Sequence, residues 1–199
     1  MKRKFNQVYQ FYIALRYIKP PIWRRVQVPE TYTFWDLHVA ITGAMGWQDY
    51  HLHEFEIVTP VIGVKVFIGI PDEEFPDERE VLPDHKQKIA RYFTLDNRRA
   101  LYRYDFGDNW EHMVELENIV PREENAQYPR CLAGKRACPP EDCGGIGGYE
   151  QFLEALADPD HEEHEMMVNW IGGQFDAEAF DPANVKFWDP AIRRRMAFD

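Results

Sequence analysis

The chain has 199 residues, 45% of them hydrophobic and 15% aromatic, which suits one globular domain with a sizeable buried core. Its net charge of −11, from 34 acidic against 23 basic residues, argues against non-specific nucleic-acid binding, because phosphates repel such a surface. No run approaches the roughly 18 consecutive apolar residues of a membrane helix, and the absence of serine excludes a serine nucleophile.

The opening "MKRKFNQVYQFYIALRYIKPP" is basic and then apolar, as a secretory leader would be. Gln10, Arg16 and Lys19 interrupt its apolar run and no small-residue cleavage site follows, so it reads as a first strand and the setting as cytoplasmic. Strands are expected over residues 8–18 and 22–28, with Phe11, Ile13, Leu15 and Tyr17 on one face and Pro20 and Pro21 marking the connection. A helix is expected over 33–45: Phe34, Leu37, Ile41 and Ala44/Met45 recur at helical spacing, Thr33 and Asp36 form a capping box, and Gly46 ends it. "HLHEFEIV" and "VIGVKVFIGI" read as a second strand pair, and the acidic run from Asp72 to Asp84 as a solvated loop. Residues 86–97 fit helix and strand equally well.

"YRYDFGDNWEHMVELE", residues 102–117, reads as a hairpin with strands over 100–105 and 109–119. Its turn, at 106–108, calls for Gly107 at positive φ, with Asp108 or Asn109 bonding its own backbone. Residues 121–148 form a Pro/Gly/Cys loop longer than compact domains usually hold without a purpose. Helices are expected over 149–157, from the stripe Tyr149, Phe152, Leu153 and Leu156, and over 162–171, burying Met167, Trp170 and Ile171. Strands in runs and helices in runs give a single α+β domain over 1–199 with a mainly antiparallel sheet. Residues 1–30 hold seven Lys/Arg and one acid, so this basic sector needs a counterpart in acidic elements of the same domain or in an acidic partner.

The chemistry-bearing residues concentrate in two places. His51 and His53 alternate along one strand and His112 lies on the apolar face of another, with Asp105 and Asp108 at the hairpin turn. Imidazoles and carboxylates of this kind bind Zn or Mn; here His51, His53, His112 and Asp108 are the candidate ligands, against a satisfied polar cluster with no metal. Cys131, Cys138 and Cys143 lack the CxxC knuckle, so a site built from three cysteines and a distant histidine is the lesser candidate. Without an export signal their odd number points to reduced thiols. Several motifs fail on inspection. "DFG" lacks every other kinase segment, "HEEHE" spaces its histidines by three where a zincin needs four, and "GGIGG" lacks the phosphate-binding spacing.

"IALRYIKPPIWRRVQVP", "LHVAITGAMGWQDYHLHEFEI", the 102–117 hairpin and "PRCLAGKRACPPEDCGGIGGYEQFLEAL", in this order, resemble the signature segments of the plasmid pRiA4b ORF-3-like family, over about residues 8–187. The resemblance implies a passenger protein of some plasmids and insertion elements, and names a domain without naming a reaction. Its defining parts fall here on Trp23, Arg24, Trp47, His51, His53, Asp105, Gly107, Asp108, Trp110, His112, Pro140, Glu141, Asp142, Gly144, Gly145 and Tyr149. The expected site gathers Asp105, Asp108 and His112 with His51 and His53, closed over by Glu141 and Asp142 and flanked by Trp47 and Trp110. Two functions follow. One is a non-catalytic binding or adaptor protein recognising a protein or small ligand. The other is a metal-dependent, hydrolase-like enzyme using His51, His53, His112 and Asp105/Asp108.

Overall fold

Among the described residues, eight strands form one sheet in the order β5-β4-β3-β6-β7-β1-β2-β8, antiparallel except between β4 and β5. They are β1 (Gln7–Leu15), β2 (Trp23–Pro29), β3 (His53–Val58), β4 (Lys65–Gly69), β5 (Val81–Pro83), β6 (Arg99–Tyr104), β7 (Trp110–Pro121) and β8 (Arg130–Lys135). Four helices accompany them: α1 (Phe34–Met45), α2 (Gly145–Ala157), α3 (His164–Ile171) and α4 (Pro190–Phe198). The structure is a computed structural model that describes residues 4–71 and 79–198. The fold is α+β with a mainly antiparallel sheet, as the sequence predicts.

The β6–β7 hairpin is the seam of the sheet. It joins the β3–β4 pair, through Phe55 opposite Tyr102, to the β1–β2 pair, through Val114 opposite Ile13. Its inward residues Tyr102, Tyr104, Trp110, His112, Val114 and Leu116 are all buried. Most of its outward residues are charged: Glu111 meets Arg16 at 2.7 Å and Glu117 meets Arg25 at 2.6 Å. Arg16 and Arg25 of the N-terminal basic sector thus find acids of the same sheet. The hairpin turn differs from expectation. Positive φ falls on Asp105 (57°) and Asn109 (54°) and not on Gly107, while Asp105 Oδ1 accepts the Gly107 N–H at 2.9 Å. Asp and Asn tolerate that region because their short polar side chains bond locally.

Helix α1 has the predicted capping box, with Asp36 N–H donating to Thr33 and Thr33 N–H donating to Asp36, and ends on Gly46 at φ 92°. Every residue of α1 except Asp36 is buried, because the sheet covers one side and the C-terminal segment the other. Trp35 donates its indole N–H to Pro190 O at 2.9 Å, and a Cβ on Gly43 would stand 2.8 Å from Lys186 O.

Other expectations need correction. Within residues 121–148 the chain forms β8, which pairs with β2 at the sheet edge, so this stretch is no simple loop. Helix α2 starts at Gly145, ahead of the predicted 149, with Gly144 at φ 90° as its N-cap. In α3 Met167 and Ile171 are partly buried, but Trp170 is exposed. Residues 86–97 hold short 3-10 turns (84–86 and 89–91), with no α-helix or strand. Residues 72–78 of the acidic run lie outside the described residues; its end is a strand followed by the buried Asp84.

Candidate functional site

The polar interior is built where α1 crosses β3 and β6. His38 of α1 stacks on His53 of β3 with ring centroids 3.4 Å apart and planes within 6°. Burial, and then the neighbouring His53, pushes the His38 pKa down to about 4, so the ring is neutral. Its Nε2–H donates to Asp49 Oδ1 at 2.7 Å, so Nδ1 must accept the Tyr102 O–H at 2.8 Å. Burial opposes ionisation of Asp49, yet the His38 hydrogen bond and the Arg193 charge hold its carboxyl below its ordinary value. Arg193 of α4 lies 2.7 Å from Asp49 Oδ2 and also donates to Asp49 O. His53 donates Nε2–H to Asp84 at 2.9 Å, and its Nδ1 has no partner among the described residues.

A cleft of about 1140 Å³ runs beside this network, lined by the C-terminal half of α1, the 46–53 loop and residues 180–198. Aromatic side chains of Trp35, Trp47, Tyr50, Trp188 and Phe198 line it. So does Arg24, which is 1% exposed. The guanidinium donates to Ala44 O, Trp23 O and Lys135 O and sits 3.8 Å from the Phe180 ring centroid. Ala44 lies in the last turn of α1, so the helix supplies roughly half a negative charge. No carboxylate pairs with Arg24 among the described residues, and burial lowers its pKa.

A second cluster lies at the mouth of the hairpin. His51, just before β3, brings Nε2 to 2.9 Å from Asp142 Oδ1 and 3.6 Å from Asp105 Oδ2. The 139–145 loop is tied down on every side. Trp47 donates its indole N–H to Pro139 O at 2.9 Å, and Gln48 N–H donates to Glu141 at 2.8 Å. Tyr104 O–H donates to the other Glu141 oxygen, and Gly144 N–H to Asp108 at 3.1 Å. Gly145 is required there: a Cβ would come within 2.6 Å of Asp108 O.

The expected single cluster therefore divides. His51, Asp105 and Asp142 meet, with Asp108 and Glu141 as anchors of the loop and Trp47 stacked on Tyr104 at 4.9 Å. His53 belongs to the interior network instead. His112 donates Nδ1–H to Trp110 O at 3.0 Å between the rings of Trp47 and Tyr102, and meets no carboxylate among the described residues. Trp110 is buried beside Trp47 and exposes no ligand-facing surface. Cys131, Cys138 and Cys143 are unpaired, and they form no metal-ready group among the described residues. Sequence reasoning missed His38, Asp49, Asp84, Tyr102, Tyr104 and Arg193. His38 was findable, since it is a polar residue four after Phe34, on the apolar stripe of α1.

The family model for plasmid pRiA4b ORF-3-like proteins matches residues 7–184. The chain belongs to the plasmid pRiA4b ORF-3-like family. This pRiA4b ORF-3-like chain is 37% identical over 171 residues to the uncharacterized protein y4hQ of Sinorhizobium fredii, covering 84% of this chain and 82% of that protein. It is 52% identical to a protein of unknown function from Methanosarcina mazei whose crystal structure superimposes with a TM-score of 0.86, covering 92% of this chain and 100% of that one. The pRiA4b ORF-3-like sheet and its packed helices are thus seen in a solved relative.

Proposed function

We propose that the protein is a non-catalytic binding domain whose large cleft takes a small ligand with a flat aromatic body and an anionic group. The observation that carries this is Arg24, a cation held at the cleft with carbonyl partners and half a helix-dipole charge but no carboxylate. A desolvated guanidinium so placed is costly, and a ligand carboxylate or phosphate that accepts from its remaining Nη2 N–H groups offsets that cost. The tryptophan and tyrosine rings suit a planar partner. Both nitrogens of His38 are already bonded, which leaves that ring no free site for proton transfer. Burial pushes the Cys138 thiol far up, so no thiolate nucleophile is available at neutral pH. Reduced, unpaired thiols fit a cytoplasmic setting.

The test is thermal stabilisation and tryptophan fluorescence against indole-3-carboxylate, anthranilate, AMP, citrate and inorganic phosphate, with indole as a neutral control. An aryl anion should change the fluorescence saturably and stabilise by about 2.7 kcal/mol at a hundred times its Kd. Arg24→Met, checked for folding by circular dichroism, should lose that response. Equal binding of indole and its carboxylate, or binding that survives Arg24→Met, would overturn the anionic reading.

A further inference from the structure

We infer that His51, Asp105 and Asp142 form a binding site for one divalent transition-metal ion, separate from the Arg24 end of the cleft. Three observations converge. First, the three ligand atoms all lie within 4.8 Å of one another. Donors about 2.0–2.2 Å from a shared metal stand roughly 2.9–3.6 Å apart, by the geometry of tetrahedral and octahedral sites. The 2.9 and 3.6 Å separations from His51 Nε2 to Asp142 and Asp105 fall in that span.

Second, His51 Nε2 is fully covered, and although a carboxylate oxygen is 2.9 Å away, it makes no hydrogen bond of acceptable geometry. The nitrogen is left without a hydrogen-bond partner among the described residues, and so is free to offer its lone pair to a metal ion. Third, the charges do not balance. Two carboxylates are brought against one imidazole, and neither Asp105 nor Asp142 has a Lys or Arg partner among the described residues. A divalent ion supplies the missing charge.

The surrounding structure holds the donors in place. Asp105 N–H donates to Leu52 O at 2.9 Å and its Oδ1 is occupied by Gly107 N–H, which leaves Oδ2 for the site. Asp142 follows Glu141, whose two oxygens are fixed by Tyr104 and Gln48. The His51 ring stands edge-on to Tyr104 at 5.8 Å. Such fixed second partners orient ligands before the ion arrives. One imidazole with two carboxylates selects Zn or Mn over Ca or Mg, which prefer oxygen alone. Three protein donors leave further coordination positions for water.

The experiment uses untagged protein, treated with chelator, dialysed free of metal and titrated calorimetrically with zinc or manganese chloride. One equivalent should bind and raise the melting temperature. His51→Ala and Asp142→Asn should each weaken binding by more than about 100-fold, beyond the 10–100-fold that outer-shell changes cost. Asp142 is 66% exposed, so Asp142→Asn leaves the fold intact and decides the matter if His51→Ala does not fold. His161→Ala, at a histidine outside the group, should change nothing. Failure of either metal to bind stoichiometrically, or binding unchanged in Asp142→Asn, overturns the inference.

Discussion

Replacing His112 by phenylalanine should make the protein more resistant to acid without making it much more stable at neutral pH. The ring is completely buried, and burial pushes its pKa down from 6.5 to about 3, opposed by the hydrogen bond to Trp110 O. A depressed pKa means that the unfolded chain binds the proton first. The stability is therefore whole above 6.5 and drains away as the pH falls toward about 3. At about 1.4 kcal/mol per unit, the fall from pH 8 to pH 5 costs about 2 kcal/mol through this one residue. His38, with its pKa lowered to about 4, adds a similar loss. His112→Phe removes the first loss and keeps the second. At pH 8 it gives up one hydrogen bond, worth about 0.5–1.5 kcal/mol, and relieves the unpartnered Nε2, worth about 1–3 kcal/mol. Any packing cost is common to both pH values and cancels. Urea denaturation at pH 8 and pH 5 should show the variant gaining about 2 kcal/mol on the parent at the lower pH. That corresponds to about 4–8 °C in Tm. Equal losses in parent and variant would refute the argument that a neutral, buried His112 sets acid sensitivity.

Asp49→Ala should lower stability by about 3–5 kcal/mol at neutral pH, because it strands Arg193 and His38 together. A double-mutant cycle with Arg193→Ala should show strong coupling, and additive losses would contradict the bridge. Gly145→Ala, with its Cβ against Asp108 O at φ +69°, should cost about 1–3 kcal/mol by chemical denaturation. Gly147→Ala, with open space around it, should be neutral or stabilising. A gel shift with duplex DNA at about 150 mM salt should show no complex, since the net charge is −11; micromolar or tighter binding would contradict it.

The elements whose signal is local were legible in the sequence. Alternation in 102–117 fixed both hairpin strands and their inward faces, because a one-residue slip would invert every side chain. Thr33, Asp36 and Gly46 marked the ends of α1 because capping is satisfied within a few residues. What failed has no local cause. β8 exists because the β2 edge offers its hydrogen bonds, and α4 because Asp49 and Trp35 receive it, though "RRR" gives it no apolar stripe. The histidines illustrate the division most directly. Period two placed His53 and His112 facing inward, which they do, and put His51 on the same side. Only the packing of α1 supplied His38 as the stacking partner of His53. Only the anchored 139–145 loop brought Asp142 to His51. Such contacts join residues 91 positions apart for His51 and Asp142 and 15 apart for His38 and His53, and no local pattern encodes them: the free energy that selects them comes from burying the inward face of the sheet against the helices.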